Sequence, residues 1–225
     1  KKLQRHAQLN EPRLGIISLW DVENNAVRIL AATLRAAGFK VVEIYFKDWI
    51  SNSLDPASDV QLENLARIIR REELNLACLS IRASAYANQA HIITEYLHNE
   101  LDIPVLWGGM HPTMATEDSI QKTDMVLKGE GELALLDFVQ SLKHSKSLDD
   151  ILGSKNISFH MNQEEIISNP LRPLVQNLDD LQFRDYTSHE DKYFIYGNSY
   201  MTGDPMHGDP VFQMMGSRGC IYKCS

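Results

Sequence analysis

The chain has 225 residues, 44% of them apolar and 23% charged, the composition of an ordinary soluble globular protein with room for one full domain and part of another. A net charge of −8 without a basic stripe argues against a nucleic-acid backbone as the main ligand and for a small molecule. The cysteines, Cys78, Cys220 and Cys224, are too few for the disulfide framework of a small secreted protein. No apolar run approaches the ~20 residues of a transmembrane segment, and 1–10 has no signal-peptide core, so reduced thiols and a cytoplasmic location are expected.

Leu14–Leu19 is a short apolar run without polar alternation, as in a strand buried on both faces. A polar loop, Asp21–Asn25, leads into Ala26–Ala37, where Val27, Leu30, Ala31 and Leu34 recur at helical spacing and Gly38 stands at the C-cap glycine position. The unit repeats as strand Lys40–Tyr45 with helix Val60–Glu73, and as strand Leu76–Ser80 with helix Asn88–Leu101. Strand Pro104–Trp107, a short helix at Thr116–Gln121, strand Met125–Lys128 and helix Glu132–Leu142 complete the series. Five strands alternating with helices predict a doubly wound, Rossmann-like (flavodoxin-like) five-stranded parallel α/β sheet over 13–143. Cys78 falls inside a buried strand and reads as core packing.

From 144 to 209 the expectation is a linker with a small hairpin, Asn156–Met161 with Glu165–Ser168, tethered by Phe183 and Tyr186 as its largest apolar side chains. Thr187–Asp209 either edges a substrate cavity or is a disordered linker. A strand-like run, Pro210–Met215, opens a second domain at 210–225.

In doubly wound sheets the ligand sits at the carboxyl ends of the strands, where the strand order reverses. That rule selects Trp20, Asp21, Asn24 and Asn25 after the first strand and Ser80, Ile81, Arg82, Ala83 and Ser84 after the third. After the fourth and fifth it selects Gly108, Gly109, His111 and Thr113, and Gly129, Glu130, Gly131 and Glu132. The Gly-Gly loop is either a tight turn or a place where backbone approaches a bulky ligand. Glu132 either caps its helix or lines the site, and Trp20 either packs at its strand end or covers a ligand. No Gly-x-Gly-x-x-Gly follows the first strand and no Walker-type Gly-Lys-Ser/Thr occurs, which excludes the usual dinucleotide and nucleotide sites. Cys220-x-x-x-Cys224 alone is half a zinc site, a redox pair or nothing.

Taken together, Gly-Gly-Met-His-Pro-Thr at 108–113, Asp124 through Gly129-Glu130-Gly131-Glu132, Leu178-Asp179-Asp180-Leu181 and Ser217-Arg218-Gly219-Cys220-Ile221-Tyr222-Lys223-Cys224 resemble a cobalamin-binding radical S-adenosylmethionine enzyme over nearly the whole chain. Gln182, Arg184 and Ile221 depart from prolines common in that family. The resemblance implies a cobalamin domain, a linker, and the first strand of a truncated partial TIM-type barrel. Its cluster motif would continue past Ser225 with an aromatic residue and a third cysteine. It further implies Cys220 and Cys224 as ligands of a [4Fe-4S] cluster that cleaves S-adenosylmethionine, with an electron donor as partner. A methyltransferase acting on an unactivated carbon is the default parent activity, with cyclisation or rearrangement as variants and this stretch inactive by itself. Cobalamin proteins that ligate cobalt through a histidine use Asp-x-His-x-x-Gly after the first strand. Here Glu23 and Ala26 occupy the histidine and glycine positions. No histidine of this loop is therefore expected on cobalt, with Trp20 and Arg82 over the lower corrin face and His111 against the corrin or its nucleotide tail. The rival of another class is a flavodoxin-like module that binds a flavin or corrinoid without catalysis. A signalling receiver domain is excluded, since the first strand end lacks a clustered acidic pair and no suitable lysine follows a late strand.

Overall fold

A computed structural model describes residues 11–47, 55–144, 147–162, 165–186, 190–208 and 218. Strands β1 (Arg13–Leu19), β2 (Lys40–Phe46), β3 (Leu76–Ser80), β4 (Val105–Gly108) and β5 (Met125–Leu127) are mutually parallel in the order β5-β4-β3-β1-β2. This is the expected doubly wound core. Between them run α1 (Asn25–Ala36), α2 (Asp59–Arg71), a 3₁₀ turn at Ser84–Tyr86, α3 (Ala87–Leu101), the short α4 (Met110–Met114) and α5 (Thr116–Ile120), then α6 (Glu132–His144) and α7 (Leu148–Leu152).

The layers follow from strand alternation. In β1, Leu14 and Ile16 face the cluster of Val27, Ala31 and Leu34 from α1 with Leu135, Phe138 and Val139 from α6. Ile17 and Leu19 face the opposite cluster, which holds Leu62, Leu65 and Ile69 from α2 and Ile93 and Leu97 from α3. Each of these large side chains, nearly all out of water, contributes about 1.5–3 kcal/mol. Local signals set the ends: Asn24 Oδ1 accepts from Val27 N at the start of α1, and Ser58 and Gln61 form a capping box on α2.

The sheet does not stop at five strands. The expected hairpin is present as β6 (Ile157–Asn162) and β7 (Glu165–Ser168), antiparallel to each other, with β6 on the free edge of β5. A second hairpin, absent from the sequence reading, forms from β8 (Lys192–Tyr196) and β9 (Ser199–Thr202), with β8 parallel to β2. Both open edges of the core are thus covered, which moves the free edges onto the four-residue strands β7 and β9, and the full order is β7-β6-β5-β4-β3-β1-β2-β8-β9. Much of the expected linker is therefore sheet. Phe183 does not tether it: its side chain is 92% exposed. The anchor is Arg28 of α1, a buried cation that needs acceptors and a π face and takes them from Asp204, the Asp185 carbonyl and the Tyr186 ring. The strand-like run at 210–215 lies outside the described residues.

Candidate functional site

β1 leads to one side of the sheet through β2, and β3 to β5 lie on the other, so the order reverses between β1 and β3. Two candidate residues meet across that point. Asn24 Nδ2 donates to Ser80 Oγ at 3.0 Å while Asn24 Oδ1 caps α1. Beside them Asp21 is buried, receives Glu23 N at 3.2 Å and pairs with exposed Arg82 at 3.1 Å. Glu23 is exposed and the loop holds no histidine, so it offers no imidazole.

Trp20 behaves as packing. It is 1% exposed, lies 6.0 Å from Tyr86 in a stacked pair and 5.7 Å from Phe46, and belongs to the core on the α2–α3 side. Ile81 is likewise buried, but its backbone shapes the site. Ile81 N donates to Gly108 O at 2.8 Å and Ile81 O accepts from His111 N at 3.1 Å. Gly109, at φ 105°, lies so close that a Cβ would stand 2.7 Å from Ile81 O. The second glycine of the pair is thus demanded by backbone packing at the end of β3.

His111 is buried, with Nδ1 3.0 Å from Ser84 Oγ and, among the described residues, no partner for Nε2. Ser84, Arg82 and Ala83 stand exposed at the rim. Thr113 joins the two glycine loops, its hydroxyl donating to Gly109 O at 2.8 Å and accepting from Gly129 N at 3.0 Å. An open cleft of roughly 520 Å³ lies between these loops and the α1–α6 layer. Ile16, Cys78 and Leu106 line it from the strands, Ala26 and Leu30 from α1, and Gly108, Gly131 and Glu132 from the loops. Cys78 is therefore both core and cleft wall, and burial pushes its thiol up to about 12.

The structure adds residues that the sequence reading did not select. Arg28, on α1, has no exposed surface. It forms a two-pronged ion pair with Asp204, with one contact at 2.9 Å, and donates to Val22 O at 3.0 Å and Asp185 O at 3.2 Å. The Tyr45 and Tyr186 rings sandwich its guanidinium at 4.8 and 4.5 Å. Tyr186 also donates to Asn25 Oδ1 at 3.0 Å, which ties the loop after β1 to the chain around β8. Lys192, also without exposed surface, reaches Asp204 at 3.1 Å and Asp185 O at 2.7 Å. Burial alone pushes the Asp204 carboxyl up, but hydrogen bonds from Arg28, the Met206 amide and Lys192 outweigh it and hold the group below its usual value. The sequence did hold one clue to β8 and β9: Tyr196-Gly197-Asn198-Ser199 is a two-residue hairpin turn with Gly197 at φ 57°. Nothing in the helical pattern flags Arg28 as buried.

All of the cleft's lining except Ile16, the loop after β1 and both glycine loops fall within residues 18–139, which match the description of a B12 binding domain. The chain belongs to the B12-binding domain family. The match leaves out the hairpins that extend the sheet and Arg218. Over 173 residues, 75% of the chain, it is 28% identical to an uncharacterized methyltransferase of Pyrococcus horikoshii, and covers 34% of that protein. Over 202 residues, 88% of the chain, it is 23% identical to the anaerobic magnesium-protoporphyrin IX monomethyl ester cyclase of Rubrivivax gelatinosus, covering 33% of it. The chain therefore spans about a third of the length of these relatives. In the B12-binding domain the residues present suit a large planar ligand with an arm. The rim is open and polar, the cleft beside it is apolar and walled by glycines, and a buried imidazole nitrogen has no partner among the described residues. Cys220 and Cys224 lie outside the described residues. Among the described residues no cluster of three or more His, Cys, Asp or Glu could hold a metal ion, and no helix is long and apolar enough to cross a membrane.

Proposed function

We propose that this chain carries cobalamin at the carboxyl edge of its parallel sheet, as the cobalamin-binding part of a radical S-adenosylmethionine enzyme. The observation that carries the reading is the cleft at the strand-order reversal, walled by residues from β1, β3, β4, α1 and both glycine loops. The corrin would rest on the rim formed by Arg82, Ala83, Ser84, Gly109 and Thr113, and its nucleotide arm would enter the cleft past Gly108 and Gly131. His111 Nε2 is the natural partner for a polar group of the ligand. Cobalamin, when bound, supplies a metal able to carry a methyl group. The chain's own residues bind and orient it: Asn24 and Ser80 hold the reversal point, and the cleft walls exclude water from the arm.

With Glu23 in place of a histidine, the loop after β1 would offer cobalamin no imidazole, which would suit methyl transfer. A methylase acting on an unactivated carbon is thus the proposed parent activity, with Cys220 and Cys224 among the ligands of a [4Fe-4S] cluster that binds S-adenosylmethionine. The cyclase relative keeps ring formation as the alternative outcome. The test is incubation of the chain with hydroxocobalamin or FMN, then desalting. Corrinoid absorbance near one equivalent with no flavin fluorescence is expected. Retention of flavin alone would refute the cobalamin reading.

A further inference from the structure

The Gly129–Glu132 loop gathers two segments that follow the domain in sequence. Val175 N donates to Glu130 Oε2 at 3.2 Å, which holds the 171–175 stretch over a hollow of about 360 Å³. Arg218 donates to Glu132 Oε1 at 2.6 Å and lies 3.5 Å from Glu130 Oε1. Glu132 begins α6, its side chain is 7% exposed, and it lines both the hollow and the cofactor cleft. A carboxylate so far out of water is costly unless compensated. The positive end of α6 supplies a partial charge and Arg218 a full one. The cation thus sits on a residue of the cleft wall.

We propose that Arg218 is a positioning residue: its ion pairs with Glu130 and Glu132 hold the Gly129–Glu132 loop in the arrangement that walls the cofactor cleft, and this docking of the arginine and cobalamin binding strengthen each other. This rests on the cobalamin reading above. The route of coupling is the loop itself. With the ion pairs formed, Gly129, Gly131 and Glu132 take the arrangement that walls the cleft. A ligand that prefers this arrangement draws the equilibrium toward the docked state, and linkage requires docking to raise the ligand's affinity by the same factor.

Trypsin cleavage after Arg218, followed by mass spectrometry of the intact 225-residue chain, reads docking directly. Hydroxocobalamin at saturation is expected to slow that cleavage by about five-fold or more. Arg218→Gln is expected to weaken hydroxocobalamin binding by a similar factor, Arg218→Lys to recover part of it, and Glu132→Gln to speed cleavage at Arg218 without cofactor. Urea midpoints measured alongside separate these effects from loss of fold, and the protection experiment needs no variant at all. Unchanged cleavage at Arg218 in a chain that retains hydroxocobalamin would overturn the proposal, as would an Arg218→Gln chain that folds and binds with unaltered affinity. A chain that never retains hydroxocobalamin refutes the cobalamin reading and the coupling together. The cleavage difference between wild type and Glu132→Gln still reports whether Arg218 docks.

Discussion

Gly109→Ala puts the backbone account of the site to its most direct test. At φ 105° an L-residue is strained by about 1–3 kcal/mol. The added Cβ would stand 2.7 Å from Ile81 O, 3.0 Å from Ile81 C and 3.1 Å from Ile81 N. These are backbone atoms at the end of a central strand, so no side chain can swing aside. Relief requires the ends of β3 and β4 to part by roughly 0.5 Å, given ordinary C···O contacts of about 3.3 Å. That movement weakens the bonds from Ile81 N to Gly108 O and from His111 N to Ile81 O, each contributing about 1 kcal/mol. The expected loss is about 3–4 kcal/mol in urea unfolding, with reduced hydroxocobalamin uptake in whatever fraction remains folded. Gly38→Ala is the control: its φ is 82° but nothing lies within 4 Å of the new Cβ, so about 1 kcal/mol is expected. If the two variants differ by less than about 0.5 kcal/mol, the close approach of Gly109 to β3 does not govern the site.

Gly108→Val probes the cleft itself, because its Cβ meets only Leu127 at 3.7 Å or more. Stability should change by under about 1 kcal/mol while hydroxocobalamin affinity falls at least about ten-fold, and equal affinity by equilibrium dialysis would place the ligand elsewhere. Asp204→Asn should cost about 3–5 kcal/mol at pH 7, since it leaves Arg28 and Lys192 buried with one carboxylate fewer. The Asp204 carboxyl is held below its usual value, so its stabilisation is present above the unfolded pKa, about 4, and is lost as pH falls through the lower folded value. Urea midpoints of wild type and variant should converge as the pH drops below about 4, and a constant gap would contradict the assignment. With Cys220 and Cys224 replaced by Ser, Cys78 should resist a thiol reagent at pH 8 until denaturant is added, because burial keeps it protonated. Rapid reaction in the folded chain would mean that the cleft floor opens to solvent.

Much of the fold was legible in the sequence because its signals are local. Short, mostly apolar runs marked β1 to β5, 3.6-residue spacing marked α1 and α2, the repeating strand–helix unit marked α3 and α6, and the glycines after β4 and β5 marked the loops where a ligand would sit. The residue types in those loops also excluded nucleotide sites, since phosphate cradles require particular glycine spacings. What sequence periodicity cannot show is which surfaces meet across long separations. Strand β8 escaped notice because Tyr193–Tyr196 is a short run inside a stretch rich in aromatic and polar residues, and the buried residue that opens it, Lys192, is charged. The charge is tolerated only because Asp204 and the Asp185 carbonyl surround it in the folded chain. Arg28 occupies an ordinary helical position, and only the arrival of Tyr186 and Asp204 from 158 and more residues away makes it a buried hub. Phe183 and Trp20 show the converse. Their size suggested a tether and a possible ligand face, but size does not specify what packs behind a ring, and one stands in solvent while the other fills the core. The local order of residues thus determined the elements and the loops at which binding is proposed. Tertiary structure alone decided the cleft's walls, the buried ion pairs and the seat of Arg218, because each depends on charges and backbones brought together only when the sheet is complete.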